Sequence, residues 1–261
     1  MTLRFPTVLA LDFDGVLCDG LKEYFLTAWK AYCQLWAVPE PIPPDGMAES
    51  FYRLRPVVET GWEMPVVIRA IARGIAEEVL LADWPSLRDQ LVTDEQLAPA
   101  ALAQAVDGIR DRWIATDIAS WLAEHEFYPG VGDRLQTLLQ TDLPVVIIST
   151  KEGRFIRQLL EQRGIDLTKL QIFGKEVKRP KSAILLELME VFGPEAVFWF
   201  VEDRLKTLQT IQQRSELEAV QLFLADWGYN TAPERQAAAA DPGIQLISLP
   251  QFAGDFDAWV A

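Results

Sequence analysis

The sequence is poor in the residues on which several common kinds of site depend. Among its 261 residues there are two cysteines, Cys18 and Cys33, and one histidine, His125. Two cysteines are too few for a disulfide framework, so we expect reduced thiols and a cytoplasmic protein. A histidine-based triad, a histidine-rich zinc site or a histidine proton relay would each have to use His125. That residue stands in the polar stretch Ala-Glu-His-Glu-Phe, which is typical of a solvated linker.

The sequence also has few basic residues and no long apolar run. The 24 lysines and arginines against 38 aspartates and glutamates leave a formal charge of −14 at pH 7. That charge disfavours nucleic acid and anionic membrane surfaces as partners. No uninterrupted apolar segment approaches the roughly 20 residues that a membrane-spanning helix needs, and no signal-peptide pattern is present. We therefore expect a soluble protein with no nucleic-acid or membrane partner, whose oligomeric state the sequence does not indicate.

A short apolar segment ends abruptly in two carboxylates. Residues 6–13 form a predicted strand, and its end reads Asp12-Phe13-Asp14-Gly15. The Asp-x-Asp spacing places both acids at the exit of the strand, and Gly15 permits a sharp turn beside them. Paired carboxylates bind a hard cation such as Mg²⁺, and one of them can attack a phosphorus atom. The alternative is that Asp12 and Asp14 only cap the strand and begin a turn.

Predicted strands and helices alternate on both sides of a long helical block. The predicted strands lie at 6–13, 144–148, 170–173, 196–201, 220–224 and 244–248. Their apolar character on both faces favours a parallel sheet flanked by helices, which is an α/β fold. Residues 19–128 contain no convincing strand. Helices are predicted there at 21–38, 47–55, 64–82, 86–91, 95–106 and 107–124.

Three of the predicted strands end in polar residues. These ends read Asp12-Phe13-Asp14-Gly15, Ser149-Thr150-Lys151 and Glu202-Asp203-Arg204. Lys181 follows at the start of a predicted helix. Ligands of parallel α/β sheets bind beyond the carboxyl ends of the strands. We therefore expect carboxylate, hydroxyl and ammonium groups to meet at one edge of the sheet.

In this combination and order the motifs resemble those of the haloacid dehalogenase superfamily, whose members are mostly phosphatases. The resemblance covers residues 6 to about 225. Its four motifs are Asp12-x-Asp14-Gly15, Ser149 after an apolar strand, Arg179-Pro180-Lys181, and Glu202-Asp203. It implies a Rossmann-like core formed by residues 1–18 and 129–261. It also implies an all-α cap domain, residues 19–128, similar to the inserted cap of the phosphoglycolate-phosphatase-like branch.

The resemblance implies a catalytic or substrate-binding role for each motif residue. Asp12 would be the nucleophile that forms an aspartyl-phosphate, and Asp14 would act first as general acid and then as general base. Ser149 would donate a hydrogen bond to a phosphoryl oxygen, with the adjacent Thr150 as a rival substrate contact. Lys181 would neutralise the nucleophile and the phosphoryl group. The expected reaction is hydrolysis of a small phosphorylated metabolite.

The same resemblance implies Mg²⁺ as the cofactor. Its ligands would be Asp12, the backbone carbonyl of Asp14, and Asp203, with Glu202 as a further ligand or an outer partner. The chain departs from the family pattern here, because Glu202 replaces a common glycine. The positions four and five residues after Asp203, where relatives often carry a second acid, hold threonine and leucine. We expect this departure to alter metal affinity or activity.

The assignment of the lysine has alternatives. Lys151, Lys175 and Lys178 lie in the same half of the chain and could replace Lys181 in the site. Lys181 is favoured because the stretch Arg-Pro-Lys resembles the lysine-bearing stretch of the family.

The predicted cap contains one unusual segment, residues 53–63, which mixes charged, aromatic and glycine residues. One hypothesis is that Arg55 binds an anionic part of the substrate and that Gly61 and Trp62 form a flexible lip. The alternative is a surface ion pair between arginine and glutamate, with Trp62 in the core of the cap.

Several other functions are compatible with the same fold. Carbon–halogen cleavage is disfavoured, because relatives that perform it lack the second aspartate, here Asp14. Phosphonate cleavage would need a cap lysine, either Lys22 or Lys30. A phosphosugar mutase stays open, as does a binding or assembly protein with weak or no turnover.

Overall fold

The computed structural model describes residues 5–39 and 42–260. Its strands are β1 (Val8–Leu11), β2 (Cys18–Asp19), β3 (Glu126–Phe127), β4 (Val145–Ile148), β5 (Leu170–Phe173), β6 (Phe198–Glu202), β7 (Gln221–Ala225) and β8 (Ile244–Ile247). Six of them form one sheet in the order β5-β4-β1-β6-β7-β8, in which every neighbouring pair is parallel. The short strands β2 and β3 form an antiparallel pair. The predicted α/β fold with a parallel sheet is confirmed.

Helices fill the chain between β2 and β3 and alternate with the strands after β3. The first group is α1 (Leu21–Leu35), α2 (Met47–Leu54), α3 (Met64–Ala72), α4 (Glu77–Ala82), α5 (Trp84–Asp94) and α6 (Pro99–Ala123). The second group is α7 (Val131–Leu139), α8 (Gly153–Gln162), α9 (Lys181–Phe192), α10 (Leu205–Gln212), α11 (Ala232–Ala240), α12 (Leu249–Ala253) and α13 (Phe256–Trp259). Within the described part of the chain, no helix combines the length and the hydropathy needed to cross a bilayer.

The chain divides into two compact units. One consists of Met1–Asp19 together with Glu126–Ala261 and contains the six-stranded sheet, and the other is Gly20–His125. We call them the α/β unit and the helical unit. The chain passes from one to the other at β2 and returns at β3. The division falls close to the predicted domain limits, whereas the role of the helical unit as a cap stays a prediction.

The central strands of the α/β unit are buried on both faces. All four residues of β1 are inaccessible to solvent, as are Trp199 to Val201 of β6. On one face, Ala10 belongs to an apolar cluster with residues of α9 and α10. Within β6, the ring of Trp199 contacts those of Phe223 in β7 and Trp259 in α13. Apolar residues at every position are needed because helices cover both sides of a parallel sheet. This packing fixes the strands, and their carboxyl ends carry the polar residues.

The helical unit has its own core. Buried apolar residues of α1, α2, α3 and α6 form one cluster, which includes Phe25, Phe51, Val67 and Leu102. A buried glutamate of α1, Glu23, is paired with Arg110 of α6, whose Nε lies 2.8 Å from Glu23 Oε1.

Two predictions of helix boundaries are wrong. The predicted helix 64–82 is two helices, α3 and α4, because Gly74 has a φ of +74° and Ala76 is extended. The predicted helices 95–106 and 107–124 form a single α6 after Pro99, with a non-helical residue at Asp117 (φ −154°, ψ 78°). The sequence prediction also missed the β2–β3 pair, because two residues are too short a segment to show strand periodicity.

His125 is not a solvated linker residue, so that prediction is wrong as well. Its exposed fraction is 8%, and its Nδ1 lies 3.1 Å from the carbonyl oxygen of Trp121. The imidazole packs edge-on against the ring of Trp121, with 4.5 Å between the centroids. Trp121, four positions earlier on α6, thus covers the imidazole of His125, although the sequence neighbours of His125 are polar.

A buried glutamate holds the segment that precedes α3. Glu63 has an exposed fraction of 1%, and its Oε1 accepts hydrogen bonds from Thr60 N (3.0 Å) and Thr60 Oγ1 (2.7 Å). Its Oε2 accepts one from Trp84 Nε1 at 2.7 Å and lies 3.5 Å from Arg88 Nη1. The same carboxylate therefore caps the turn before α3 and ties that turn to α5.

We expect Glu63→Ala to lower the free energy of unfolding by about 3 kcal/mol, because it leaves buried donors without their acceptor. Urea denaturation of the whole chain, followed by circular dichroism, measures the change. Glu78→Ala is the matched control, since Glu78 is exposed in the same unit. Equal destabilisation by the two substitutions would contradict this role of Glu63.

Candidate active site

The carboxyl ends of β1 and β6 bring three carboxylates together. Asp12 follows β1, Glu202 is the last residue of β6, and Asp203 comes next. One oxygen atom from each lies within 4.8 Å of the others, and all three side chains are buried. Because β1 and β6 are neighbours in the sheet, residues that are almost 200 positions apart in sequence meet at one edge. We call Asp12, Glu202 and Asp203 the carboxylate cluster.

Lys181 lies between two members of this cluster. It is the first residue of α9, and its Nζ is 2.8 Å from Asp12 Oδ2 and 2.6 Å from Glu202 Oε2. Burial by itself would lower the pKa of Lys181, but the charges of Asp12 and Glu202 raise it above its ordinary value. The side chain is therefore an ammonium ion. Its rivals Lys175 and Lys178 are exposed.

The carboxylate cluster holds more negative charge than Lys181 can neutralise. Burial raises the pKa of Asp12 to about 7. Burial, together with the charge of Asp12, raises the pKa of Asp203 to about 6. Burial also raises the pKa of Glu202. An all-oxygen set of three carboxylates around one ammonium fits a hard divalent cation, whose charge would favour their ionised forms.

The loop after β7 holds Asp203 in place. Tyr229 N donates to Asp203 Oδ2 at 2.7 Å, and Asn230 Nδ2 donates to the carbonyl oxygen of Asp203 at 2.9 Å. The guanidinium of Arg204 donates to the carbonyl oxygen of Tyr229. The phenol of Tyr229 donates to Asp19 Oδ1 at 2.9 Å, which connects this loop to β2. These residues were not predicted from the sequence, although the stretch Gly228-Tyr229-Asn230 lies soon after the apolar strand β7.

Two glycines allow the backbone to approach Asp203. Gly15 has a φ of +86°, and a Cβ atom at this position would overlap Asp203 Oδ2. A Cβ atom at Gly228 would overlap Asp203 Cβ and would lie 2.5 Å from the carbonyl oxygen of Gly15. Any side chain at either position would therefore move Asp203. The left-handed conformation of Gly15 is a second reason for glycine at that turn.

Ser149 and Asp14 meet a second lysine. Ser149 follows β4, the other neighbour of β1, and its Oγ accepts a hydrogen bond from Lys151 N at 3.2 Å. Lys151 Nζ lies 3.0 Å from Asp14 Oδ1. Lys151, considered from the sequence only as a rival of Lys181, is thus the partner of Asp14. Thr150 is exposed.

Arg55 belongs to the helical unit, and two of its contacts lie within that unit. Its Nη1 donates to the carbonyl oxygen of Val58 at 3.1 Å, and its guanidinium lies 4.9 Å from the ring centroid of Tyr24. The surface ion pair in this segment is formed instead by Arg53, whose Nη2 is 2.7 Å from Glu77 Oε1. Substrate binding by Arg55 stays a prediction.

Carboxylates, a lysine and a serine thus lie at the carboxyl edge of a parallel sheet, where ligands of such sheets bind. Residues 6–213 match the family model described as "Hydrolase: haloacid dehalogenase-like hydrolase". The chain therefore belongs to the haloacid dehalogenase-like hydrolase family, as its motifs predict. Phosphatases of this family generally use a divalent metal ion.

The relatives found by comparison agree with this family. Phosphoglycolate phosphatase of Pseudomonas putida KT2440 is 27% identical over 249 residues, which cover 94% of this chain and 77% of the relative. Phosphoglycolate phosphatase 1 of Pseudomonas aeruginosa is 26% identical over 251 residues, covering 94% and 78%. A haloacid dehalogenase-like hydrolase from Streptococcus pneumoniae shares the fold with a TM-score of 0.56 at 15% identity, covering 93% and 94%. The prediction of a phosphoric monoester hydrolase is confirmed at this level.

We expect Gly228→Ala to weaken the binding of a divalent cation at least about tenfold, because the added methyl group would displace Asp203, which we expect to be one of its ligands. Isothermal titration with Mn²⁺ measures the dissociation constant directly. Gly108→Ala is the control, since a Cβ atom there meets nothing closer than 3.4 Å. Unchanged Mn²⁺ affinity in a folded Gly228→Ala protein would contradict the requirement for glycine.

Proposed function

We propose that the protein is a Mg²⁺-dependent phosphatase that hydrolyses a small phosphorylated metabolite through an aspartyl-phosphate on Asp12. One observation supports this above all: the carboxylate of Asp12 touches Lys181 and lies beside Glu202 and Asp203 at one edge of the sheet. Because the relatives are phosphoglycolate phosphatases, phosphoglycolate is the first substrate to test.

Asp12 is oriented for attack by contacts on both of its oxygens. Its Oδ1 accepts the backbone N–H of Phe13 at 2.7 Å, and its Oδ2 faces the ammonium of Lys181. In the proposed first step, a carboxylate oxygen of Asp12 forms a bond to phosphorus while the bond from phosphorus to the ester oxygen breaks. Asp14, which starts this step in its protonated form, gives that proton to the departing oxygen, so an alcohol leaves and an aspartyl-phosphate remains.

The second step regenerates the enzyme. Asp14, now ionised, takes a proton from water, and the hydroxyl oxygen forms a bond to phosphorus as the aspartyl-phosphate bond breaks. Inorganic phosphate leaves, and the carboxylate of Asp12 is restored. In this proposal the same residue acts as acid and then as base, so Asp14 returns to its starting protonation state after each turnover.

The charge of the phosphoryl group is met by Lys181 and Ser149. The Oγ of Ser149 already accepts the N–H of Lys151, so its own O–H can donate to a phosphoryl oxygen. Mg²⁺, held by Asp12, Asp203 and Glu202, would supply further neutralisation of the phosphoryl charge. Phosphoryl transfer needs mainly in-line positioning and charge neutralisation, and these residues are suited to both.

Three further sequence predictions remain part of this proposal. The helical unit would act as the cap that excludes water and determines which metabolite is accepted. Arg55 would contact an anionic part of that metabolite. The protein would work in the cytoplasm.

We expect the wild-type protein to release inorganic phosphate from a panel of phosphorylated metabolites with Mg²⁺ present, with phosphoglycolate tested first. Asp12→Asn should lower kcat/KM at least about 1,000-fold, because an amide cannot act as the nucleophile. Asp142→Asn is the control, since Asp142 is fully exposed in the same unit. Absence of turnover across the panel, or equal activity of the wild type and Asp12→Asn, would favour a binding or assembly protein instead.

Removal of divalent metal ions with EDTA should abolish phosphate release, and added Mg²⁺ should restore it. Mg²⁺ at 100 times its dissociation constant should stabilise the wild type by about 2.7 kcal/mol, because it binds only the folded protein. Thermal unfolding with and without Mg²⁺ measures this effect independently of activity. Asp203→Asn should show a much smaller shift than Asp142→Asn. Full activity in EDTA together with an unchanged melting temperature would exclude the metal-dependent mechanism.

A further inference from the structure

We propose that Lys151 is a positioning residue for Asp14: its ammonium group holds the side chain of Asp14 where, in its protonated form, it gives a proton to the leaving group. This inference rests on the proposed function, because it takes Asp14 as the general acid. It adds a second lysine to the site, with a task different from that of Lys181.

The contact between Lys151 and Asp14 fixes both oxygens of the carboxylate. Lys151 Nζ lies 3.0 Å from Oδ1 and 3.3 Å from Oδ2, so it spans the two atoms. The exposed fractions of the two side chains are 8% and 17%. An ion pair so far removed from solvent is screened much less than a surface pair, and it restricts rotation of the Asp14 side chain.

The backbone of Lys151 is itself fixed on both sides. Its N–H donates to Ser149 Oγ at 3.2 Å, and its carbonyl oxygen accepts the N–H of Lys175 at 2.9 Å. One residue therefore contacts the proposed phosphoryl-binding hydroxyl through its backbone and the proposed acid through its side chain. That arrangement sets the distance between the phosphoryl group and the proton donor.

The two lysines serve different carboxylates. Lys181 contacts Asp12 and Glu202, whereas Lys151 contacts Asp14. Removal of the Lys151 ammonium leaves the partner of the nucleophile in place. Loss of the Lys151 ammonium should therefore slow only reactions in which the leaving oxygen needs a proton.

Substrates with different leaving groups can distinguish the role of Lys151 from that of Lys181. An alkoxide is a strong base and needs a proton as it departs, whereas 2,4-dinitrophenolate is a weak base and departs without one. The ratio kcat/KM reports the steps up to formation of the aspartyl-phosphate, so the later action of Asp14 on water does not enter. A misplaced Asp14 should slow cleavage of an alkyl phosphate and spare 2,4-dinitrophenyl phosphate.

The test compares Lys151→Met with the wild type on two substrates: 2,4-dinitrophenyl phosphate and an alkyl phosphomonoester that the wild type cleaves, with phosphoglycolate tried first. We expect kcat/KM to fall about 100-fold on the alkyl substrate and less than about fivefold on the other. Lys178→Met is the matched control, because Lys178 is an exposed lysine of the same unit. An equal loss on both substrates, or no loss on either, overturns the inference.

A double-substitution cycle shows whether Lys151 acts through Asp14. In an Asp14→Asn background, Lys151→Met should cause no further loss on the alkyl substrate, whereas independent roles would give losses that multiply. If Lys151→Met does not fold, as judged by thermal unfolding, Lys151→Arg replaces it. The displaced positive charge should then give the same substrate-selective loss at smaller size. A wild type inactive on both substrates would instead refute the proposed function, and this inference with it.

Discussion

The ammonium of Lys181 stands between the carboxylates of Asp12 and Glu202, and the arrangement of the whole edge depends on this contact. The two acids end neighbouring strands whose other residues are buried and apolar. Without a cation beside them, burial would drive both carboxyl groups to their neutral forms. The lysine comes from the first turn of α9, which precedes β6 in the chain and starts close to the ends of both strands. The lysine at the start of α9 therefore supplies the positive charge that allows β1 and β6 to end in buried carboxylates.

That contact also leaves an imbalance. Asp203 lies in the same cluster, and its carboxylate is held by a backbone N–H of Tyr229 and not by a lysine. Two glycines admit the backbone so closely that Asp203 has little freedom to turn away. A buried carboxylate held in a fixed orientation is a suitable ligand for a divalent ion. Lys181 thus faces the carboxylate of Asp12, while Asp203 keeps its own oxygen close to those of Asp12 and Glu202.

Much of this site could be predicted from the sequence, because the residues that follow apolar strands can be assigned to one edge of a parallel sheet. Strands that are apolar throughout imply a parallel sheet, and a parallel sheet gathers the carboxyl ends of its strands at one edge. Asp12, Ser149 and Asp203 each follow such a strand, so their common edge could be inferred without coordinates. The resemblance to a family then indicated which lysine to choose, and Lys181 is the lysine that contacts Asp12.

Other parts could not be predicted because they depend on how loops pack. Nothing in the spacing of Lys151 distinguishes Asp14 from the other acids as its partner. The contact of Tyr229 with Asp203 joins the ends of two different strands through a backbone N–H, which any residue could supply. The burial of His125 reflects tertiary packing that overrides the polar character of its neighbours in the sequence. Sequence periodicity describes one element at a time, and these features belong to contacts between elements.

The position of β1 in the sheet has a consequence for the order in which the protein forms. β1 lies at residues 8–11, yet its two neighbours are β4, which begins at residue 145, and β6, which begins at residue 198. A ribosome therefore releases this wholly apolar strand long before either partner exists. The helices of Gly20–His125 have their main apolar partners within that range and are ready to assemble earlier. We expect nascent chains to present β1 to chaperones until the second half of the protein has been translated.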